Sequence, residues 1–222
     1  LWSSYYQDGE VKSVKLYQLG VPKLVEYRDN KGKILVEEGR GELKEYIDTV
    51  LVSSTEYKDS LRNGAYRKFN NEGEALEIGQ YLDGLKDGEW FNYYDKDRIK
   101  KQSTYVRGVL HGNFKRVYEN GQLNVEGNYE NGKKSGKWNW YSRQGNMDMK
   151  GEFVNDFQQG YWVYYFPDGG KEYEGNFEMD KEQGKWQFWY KTGELWKEGE
   201  YDKGVKNGRW VTWFESGKKL QE

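Results

Sequence analysis

The chain has 222 residues, of which 35% are apolar and 32% charged, with a mean hydropathy of −1.14. So little aliphatic material does not fill a thick core, yet 10 Trp and 20 Tyr exclude the aromatic-poor composition of a disordered chain. Its 35 basic and 37 acidic side chains leave a net charge of −2, which excludes a basic field for nucleic acid or anionic lipid, and the lack of Cys excludes disulfides, thiol chemistry and Cys-ligated metal.

One period organises the sequence, loosely at first. Trp2, Tyr5, Gly9, Tyr17 and Gly20 fall where counting back by 24 from later units predicts. The unit around Tyr27, Gly32 and Gly39 contains an inserted residue, and residues 40–63 keep Tyr57 in phase while losing most glycines. From residue 64 the frame is strict. Glycines stand at 64, 88, 112, 136, 160, 184 and 208, a spacing of 24. A second series holds Gly73, Gly121, Gly145, Gly169, Gly193 and Gly217, with Asp97 as its exception; a third holds Gly79, Gly127, Gly151, Gly175 and Gly199, with Ser103 as its exception. Two residues after the first series comes an aromatic each time (Tyr66, Trp90, Phe114, Trp138, Trp162, Trp186, Trp210), and two after the third series comes another (Tyr81, Tyr105, Tyr129, Phe153, Phe177, Tyr201). We therefore expect degenerate hairpin repeats over 1–63 and regular ones over 64–222. No Pro- or Ser-rich linker divides them, so one repeat domain is expected.

A specimen unit, residues 135–159, reads as a hairpin. Lys137-Trp138-Asn139-Trp140-Tyr141 is a short run of high β-propensity, and Arg143-Gln144-Gly145 is a turn signal. Met147 and Met149 then alternate with Asn146, Asp148 and Lys150, the period-2 pattern of a half-buried strand, as Leu123 and Val125 do one unit earlier. Asn120-Gly121 and Asn131-Gly132 favour tight turns. Isolated hairpins are marginal, so successive units pair edge to edge. The expected fold is all-β: tandem 24-residue antiparallel hairpins forming one elongated twisted sheet or a β-solenoid. The third-series glycines leave a notch into which a neighbouring ring lies. Lys218 and Lys219 act as charged guards of a terminal edge.

The stretches Asn-Gly-Lys-Lys-Ser-Gly-Lys-Trp (131–138) and Tyr-Glu-Asn-Gly-Gln-Leu-Asn-Val-Glu-Gly-Asn-Tyr (118–129) resemble bacterial MORN-type repeats, in the longer variant that carries an antitoxin name. The resemblance covers residues 64–222 well and 1–63 in part. It implies antiparallel hairpin repeats and a role in protein–protein or membrane-associated assembly. Eukaryotic relatives imply contact with phospholipid headgroups, a reading that the net charge of −2 does not support.

The residues offer little chemistry. His111 is the only histidine, which rules out Ser-His-Asp and Cys-His triads and the usual zinc sets; it reads as a solvated turn residue. No phosphate or dinucleotide fingerprint occurs, and no cofactor is expected. Glu126, Glu174 and Glu198 recur at one repeat position, which suits charges pairing with Lys across a ladder better than a singular catalytic acid.

A binding surface is better founded. Positions two, four and six after the leading glycine share a face. Position two is always aromatic and reads as packing between repeats. Position four varies through Lys68, Asn92, Arg116, Trp140, Tyr164, Phe188 and Thr212. Trp140, Tyr164 and Phe188, with Arg116 one unit earlier, are the candidate partner-binding residues, a strip roughly 20 Å long at roughly 10 Å per hairpin. From sequence the strip is either a contact platform or a thicker core. The expected function is a non-enzymatic scaffold that binds another protein, as a subunit or accessory of an envelope-associated assembly; its end strands leave room for pairing with a second copy, and the sequence leaves open whether they do. The alternatives are a carbohydrate-binding module using aromatic stacking and a glycan-processing enzyme using two carboxylates. No apolar run approaches the roughly 18 residues of a membrane span. The chain starts at Leu1 rather than Met, which leaves room for a leader or lipid-anchored segment upstream. A periplasmic or cell-surface location is favoured over a cytoplasmic one.

Overall fold

The computed structural model describes residues 1–221. All its regular elements are β-strands, in two compact units, Leu1–Val109 and the residues from Leu110 on. The first unit holds β1 (Trp2–Tyr5), β2 (Val11–Gln18), β3 (Val21–Arg28), β4 (Ile34–Glu37), β5 (Arg40–Ile47), β6 (Val50–Lys58), β7 (Leu61–Phe69), β8 (Ala75–Leu82), β9 (Leu85–Asp95) and β10 (Arg98–Val106). The second holds β11 (Val109–Val117), β12 (Leu123–Glu130), β13 (Lys133–Tyr141), β14 (Met147–Val154), β15 (Phe157–Tyr165), β16 (Lys171–Glu178), β17 (Lys181–Trp189), β18 (Leu195–Asp202), β19 (Val205–Trp213) and β20 (Lys219–Gln221). Within each unit every strand pairs antiparallel with its neighbours in sequence, an open meander. This is the all-β hairpin-repeat class that the period predicts, in its sheet form rather than as a solenoid.

Two kinds of turn alternate. Inside each hairpin a short loop closes on a positive-φ glycine: Tyr118 N–H donates to Gln122 O at 2.8 Å and Gly121 N–H to Tyr118 O at 2.9 Å, with Gly121 at φ 86°. Between hairpins a two-residue turn has both residues at positive φ, as in Asn131-Gly132, Asn155-Asp156 and Met179-Asp180. The second residue of these turns donates its N–H to the preceding repeat: Gly132 to Leu110 O, Asp156 to Lys134 O, Asp180 to Gln158 O and Gly204 to Glu182 O, at 2.8–3.1 Å. Turns therefore stack on turns, which fixes the register of one hairpin against the next.

The aromatic and glycine series interlock through a bulge. Asn128 pairs with Ser135 and Glu126 with Asn139, so Gly136, Lys137 and Trp138 stand opposite the single residue Gly127. Gly136, at φ 66°, makes the kink. The Trp138 indole then lies flat on Gly127, where an added Cβ would fall 2.1 Å from the ring, and its Nε1 donates to Asn128 O at 3.2 Å. The same notch holds Trp90 on Gly79, Trp162 on Gly151, Trp186 on Gly175 and Trp210 on Gly199. The expected fit of ring into glycine notch is what the structure contains. Edge-on rings separate successive indoles: Tyr129 meets Trp138 at 5.2 Å and 89°, Phe153 meets Trp162 at 5.1 Å and 89°, and Phe177 meets Trp186 at 5.1 Å and 88°. Such pairs add about 0.5–1.5 kcal/mol beyond area burial. In this way a layer one ring thick buries Trp138 and Trp162 to 2% and 1% exposure without a second sheet.

The second unit is cored by Phe114, Val125, Trp138, Phe153 and Trp162. In the first unit a separate cluster of Leu24, Tyr27, Val36 and Leu43 takes over, where β4 shrinks to four residues and the glycine frame lapses. His111 is a correction: it is exposed, as expected, but lies within β11 rather than in a turn. Met147 and Met149 also depart from the simple alternation. Met149 pairs with Trp140 and Met147 with Tyr141, so a bulge between them turns the two methionines to opposite faces.

Candidate partner-binding face

The position-four residues of the second unit join a continuous cross-strand row. Arg116 pairs with Val125, Val125 with Trp140, Trp140 with Met149, Met149 with Tyr164, Tyr164 with Tyr173, Tyr173 with Phe188, Phe188 with Lys197, and Lys197 with Thr212. Six consecutive apolar or aromatic side chains, Val125 to Phe188, thus cross six strands, about 24 Å at about 4.8 Å per strand. A cation caps each end of the run.

Each predicted residue has a definite place in that row. Trp140 stacks on Trp138 at 5.8 Å, reaches Trp162 at 5.8 Å, and meets Phe153 edge-on at 6.1 Å. Tyr164 stacks on Trp162 at 6.1 Å and on Tyr173 at 4.2 Å. Phe188 lies 5.7 Å from Tyr173, 6.2 Å from Trp186 and 6.3 Å from Trp210. The three are linked through Trp162 and Tyr173, and all three are half-buried: one side packs on the indole row and part of each ring stays open. Arg116 is exposed at the end of the row, beside Val125, and touches none of the three rings. Burial pushes the Tyr164 hydroxyl pKa up, and burial, followed by Tyr164 and Glu172, pushes that of Tyr173 up to about 12. Both phenols are neutral hydrogen-bonding groups at ordinary pH; Gln158 Nε2 donates to the Tyr164 hydroxyl at 3.2 Å.

Sequence reasoning overlooked the second strand of each hairpin. Tyr173 joins Tyr164 to Phe188, and it belongs to a position that runs Val125, Met149, Tyr173, Lys197 at the same period of 24. That variation inside a fixed frame was the available signal. Trp196 was overlooked too: it occupies the slot held by Asn124, Asp148 and Glu172 in earlier units.

The opposite face carries charge. Lys115 pairs with Glu126 across the ladder at 3.8 Å, Lys185 reaches Glu198 at 2.9 Å, and Glu174 takes Lys171 of its own strand at 2.8 Å. The recurring glutamates are thus engaged with lysines, two from the neighbouring strand and one from within the strand. Their lysines are exposed while the glutamates are partly buried. Among the described residues no three His, Cys, Asp or Glu side chains converge as a metal site, and no helix is long and apolar enough to cross a membrane.

Residues 110–131 and 182–203 match the MORN repeat variant, and their starts are 72 residues apart (182 − 110), three repeat periods. MORN repeats form a non-enzymatic repeat family generally associated with protein–protein or membrane interactions. No curated protein matches the chain. Among solved structures, the chain is similar to one in "Crystal Structure of TcdB2-TccC3-Cdc42", at 12% identity and a TM-score of 0.21. That similarity covers 98% of this chain and 14% of the other.

Proposed function

We propose that this chain, which carries MORN-type repeats, is a non-enzymatic scaffold that holds another protein against the aromatic ladder of its second unit. The observation that carries the reading is the uninterrupted row from Val125 to Phe188, whose rings pack on one side and remain partly open on the other. Half-open Trp and Tyr rings are stiff, amphipathic contact surfaces that lose little conformational entropy on binding. Arg116, exposed at the row's end, supplies a directional donor for a partner's carboxylate or carbonyl. The finer reading places the chain as a subunit or accessory of an envelope-associated assembly.

Affinity purification from the native host, with crosslinking at the ladder, tests this. Trp140→Ala and Tyr164→Ala should abolish capture of the co-eluting chain, whereas Lys137→Ala on the opposite face should leave it intact. A partner retained equally by all three variants would dispose of the proposal. Reconstitution with the purified partner then separates direct contact from co-purification.

A further inference from the structure

The Phe188 end of the ladder opens into a cavity of about 490 Å³. A bulge in β18 borders it. Phe188 pairs with Lys197 and Trp189 with Leu195, which leaves Trp196 as the extra residue. Trp196 is 38% exposed. The Tyr190 ring stands 6.0 Å from it at 46°, and Tyr173, Phe188 and Glu172 close the other sides. Lys197 Nζ sits 4.4 Å from the centre of Phe188 and 4.2 Å from that of Trp196. Among the described residues no carboxylate forms an ion pair with that ammonium, and burial followed by Lys206 disfavours its charged form.

The walls select a ligand class by elimination. Aromatic walls call for a ligand with one flat apolar face. Among the described residues no ion pair joins Lys197 to Glu172, so a cationic ligand is repelled by the first and an anionic one by the second. A neutral ligand rich in hydroxyls meets no such conflict. Its hydroxyls accept from the Lys197 ammonium and donate to the Glu172 carboxylate, two charge-assisted hydrogen bonds beside a stacked face. A pyranose ring has this build, with C–H groups on a face and hydroxyls on the edge. The cavity lies within the range of about 300–1,000 Å³ typical of small-ligand sites.

We propose that this cavity binds a neutral pyranose, its apolar face on the exposed part of the Trp196 indole and its hydroxyl edge between Lys197 and Glu172. The site stands on its own residues, whether or not a protein occupies the rest of the ladder. The test is titration of the full chain, followed by tryptophan fluorescence and ligand-observed NMR. The probes are methyl glucoside, galactoside and mannoside, cellobiose and N,N′-diacetylchitobiose, with glucuronate and glucosamine as charged arms. At least one neutral sugar should bind with a dissociation constant on the order of 1 mM. Trp196→Ala should abolish that binding, and Glu172→Gln and Lys197→Met should each weaken it about tenfold without lowering the melting temperature. Glu172→Gln serves alone if Trp196→Ala does not fold. Silence of every neutral sugar at about 50 mM, stronger binding of a charged arm, or neutral-sugar binding indifferent to Glu172→Gln would each overturn the proposal.

Discussion

Each unit carries a cross-strand row at the same repeat positions, and the two rows have opposite character. In the first unit it reads Glu45, Ser53, Lys68, Glu77, Asn92 and Lys101; in the second it reads Val125, Trp140, Met149, Tyr164, Tyr173 and Phe188. The first version is held by polar contacts: Ser53 Oγ donates to Glu45 Oε2 at 2.5 Å, and Lys86 binds Glu77 at 2.8 Å. The second is a stack of rings. Yet Trp90 lies on Gly79 as Trp138 lies on Gly127, and its Nε1 makes the same bond to the next carbonyl, Gln80 O at 3.1 Å. Glycine notch and indole are therefore the frame, and the neighbouring row is content that the frame tolerates in either form. A row free to be polar but apolar or aromatic for six strands is the part of the second unit that folding alone does not demand.

The frame should break hardest. In Gly151→Ala the new Cβ would lie 2.1 Å from the Trp162 ring, which is pinned between Phe153 and Phe177, so neither can retreat cheaply. A loss of about 3 kcal/mol is expected in urea denaturation. Gly169→Ala, at a turn with open space and φ 94°, should cost only about 1 kcal/mol. Equal costs at the two positions would mean that the notch is not what holds the repeat.

Exchanging row contents should cost less. Trp140→Asn gives the second unit the residue that Asn92 supplies in the first; because Trp140 is half-buried, about 1–2 kcal/mol should be lost. The converse change should stabilise. Asn92 Oδ1 is buried with no hydrogen-bond partner among the described residues, so Asn92→Leu removes an orphan acceptor and should gain about 1 kcal/mol. If Trp140→Asn proves as damaging as Gly151→Ala, the row belongs to the core.

The comparison also explains what the sequence disclosed. Fixed-period glycines and indoles were legible because each hairpin repeats one steric problem, a flat ring on a bare backbone. The first unit was less legible, since around Val36 and Leu43 aliphatic packing replaces ring-on-glycine packing and no period is required. Bulges hid the rest. Simple alternation sends Met147 and Met149 to one face, but one extra residue divides them, and the same device in β18 makes Trp196 the extra residue beside Phe188 and Lys197. Parity counted along a strand fails wherever a strand gains a residue.

The smallest expected effect lies at the ladder's cationic end, where the two kinds of row meet in one residue. Lys197 occupies an aromatic slot with a polar side chain, and burial, then Lys206, holds its pKa below the usual lysine range. A lysine whose folded pKa is depressed binds its proton more weakly when folded than when unfolded. Its burden is therefore fully present at neutral pH and is relieved as pH rises through the folded pKa toward the unfolded one. Lys197→Met should accordingly be slightly more stable than the parent at neutral pH, with the gap narrowing as the solution is made alkaline. Thermal melts of both chains from neutral to alkaline pH read this directly. A gap that widens with pH would mean that the ammonium is favoured by Phe188 and Trp196 more than it is penalised by burial, making the cation part of the stack rather than an intruder in it.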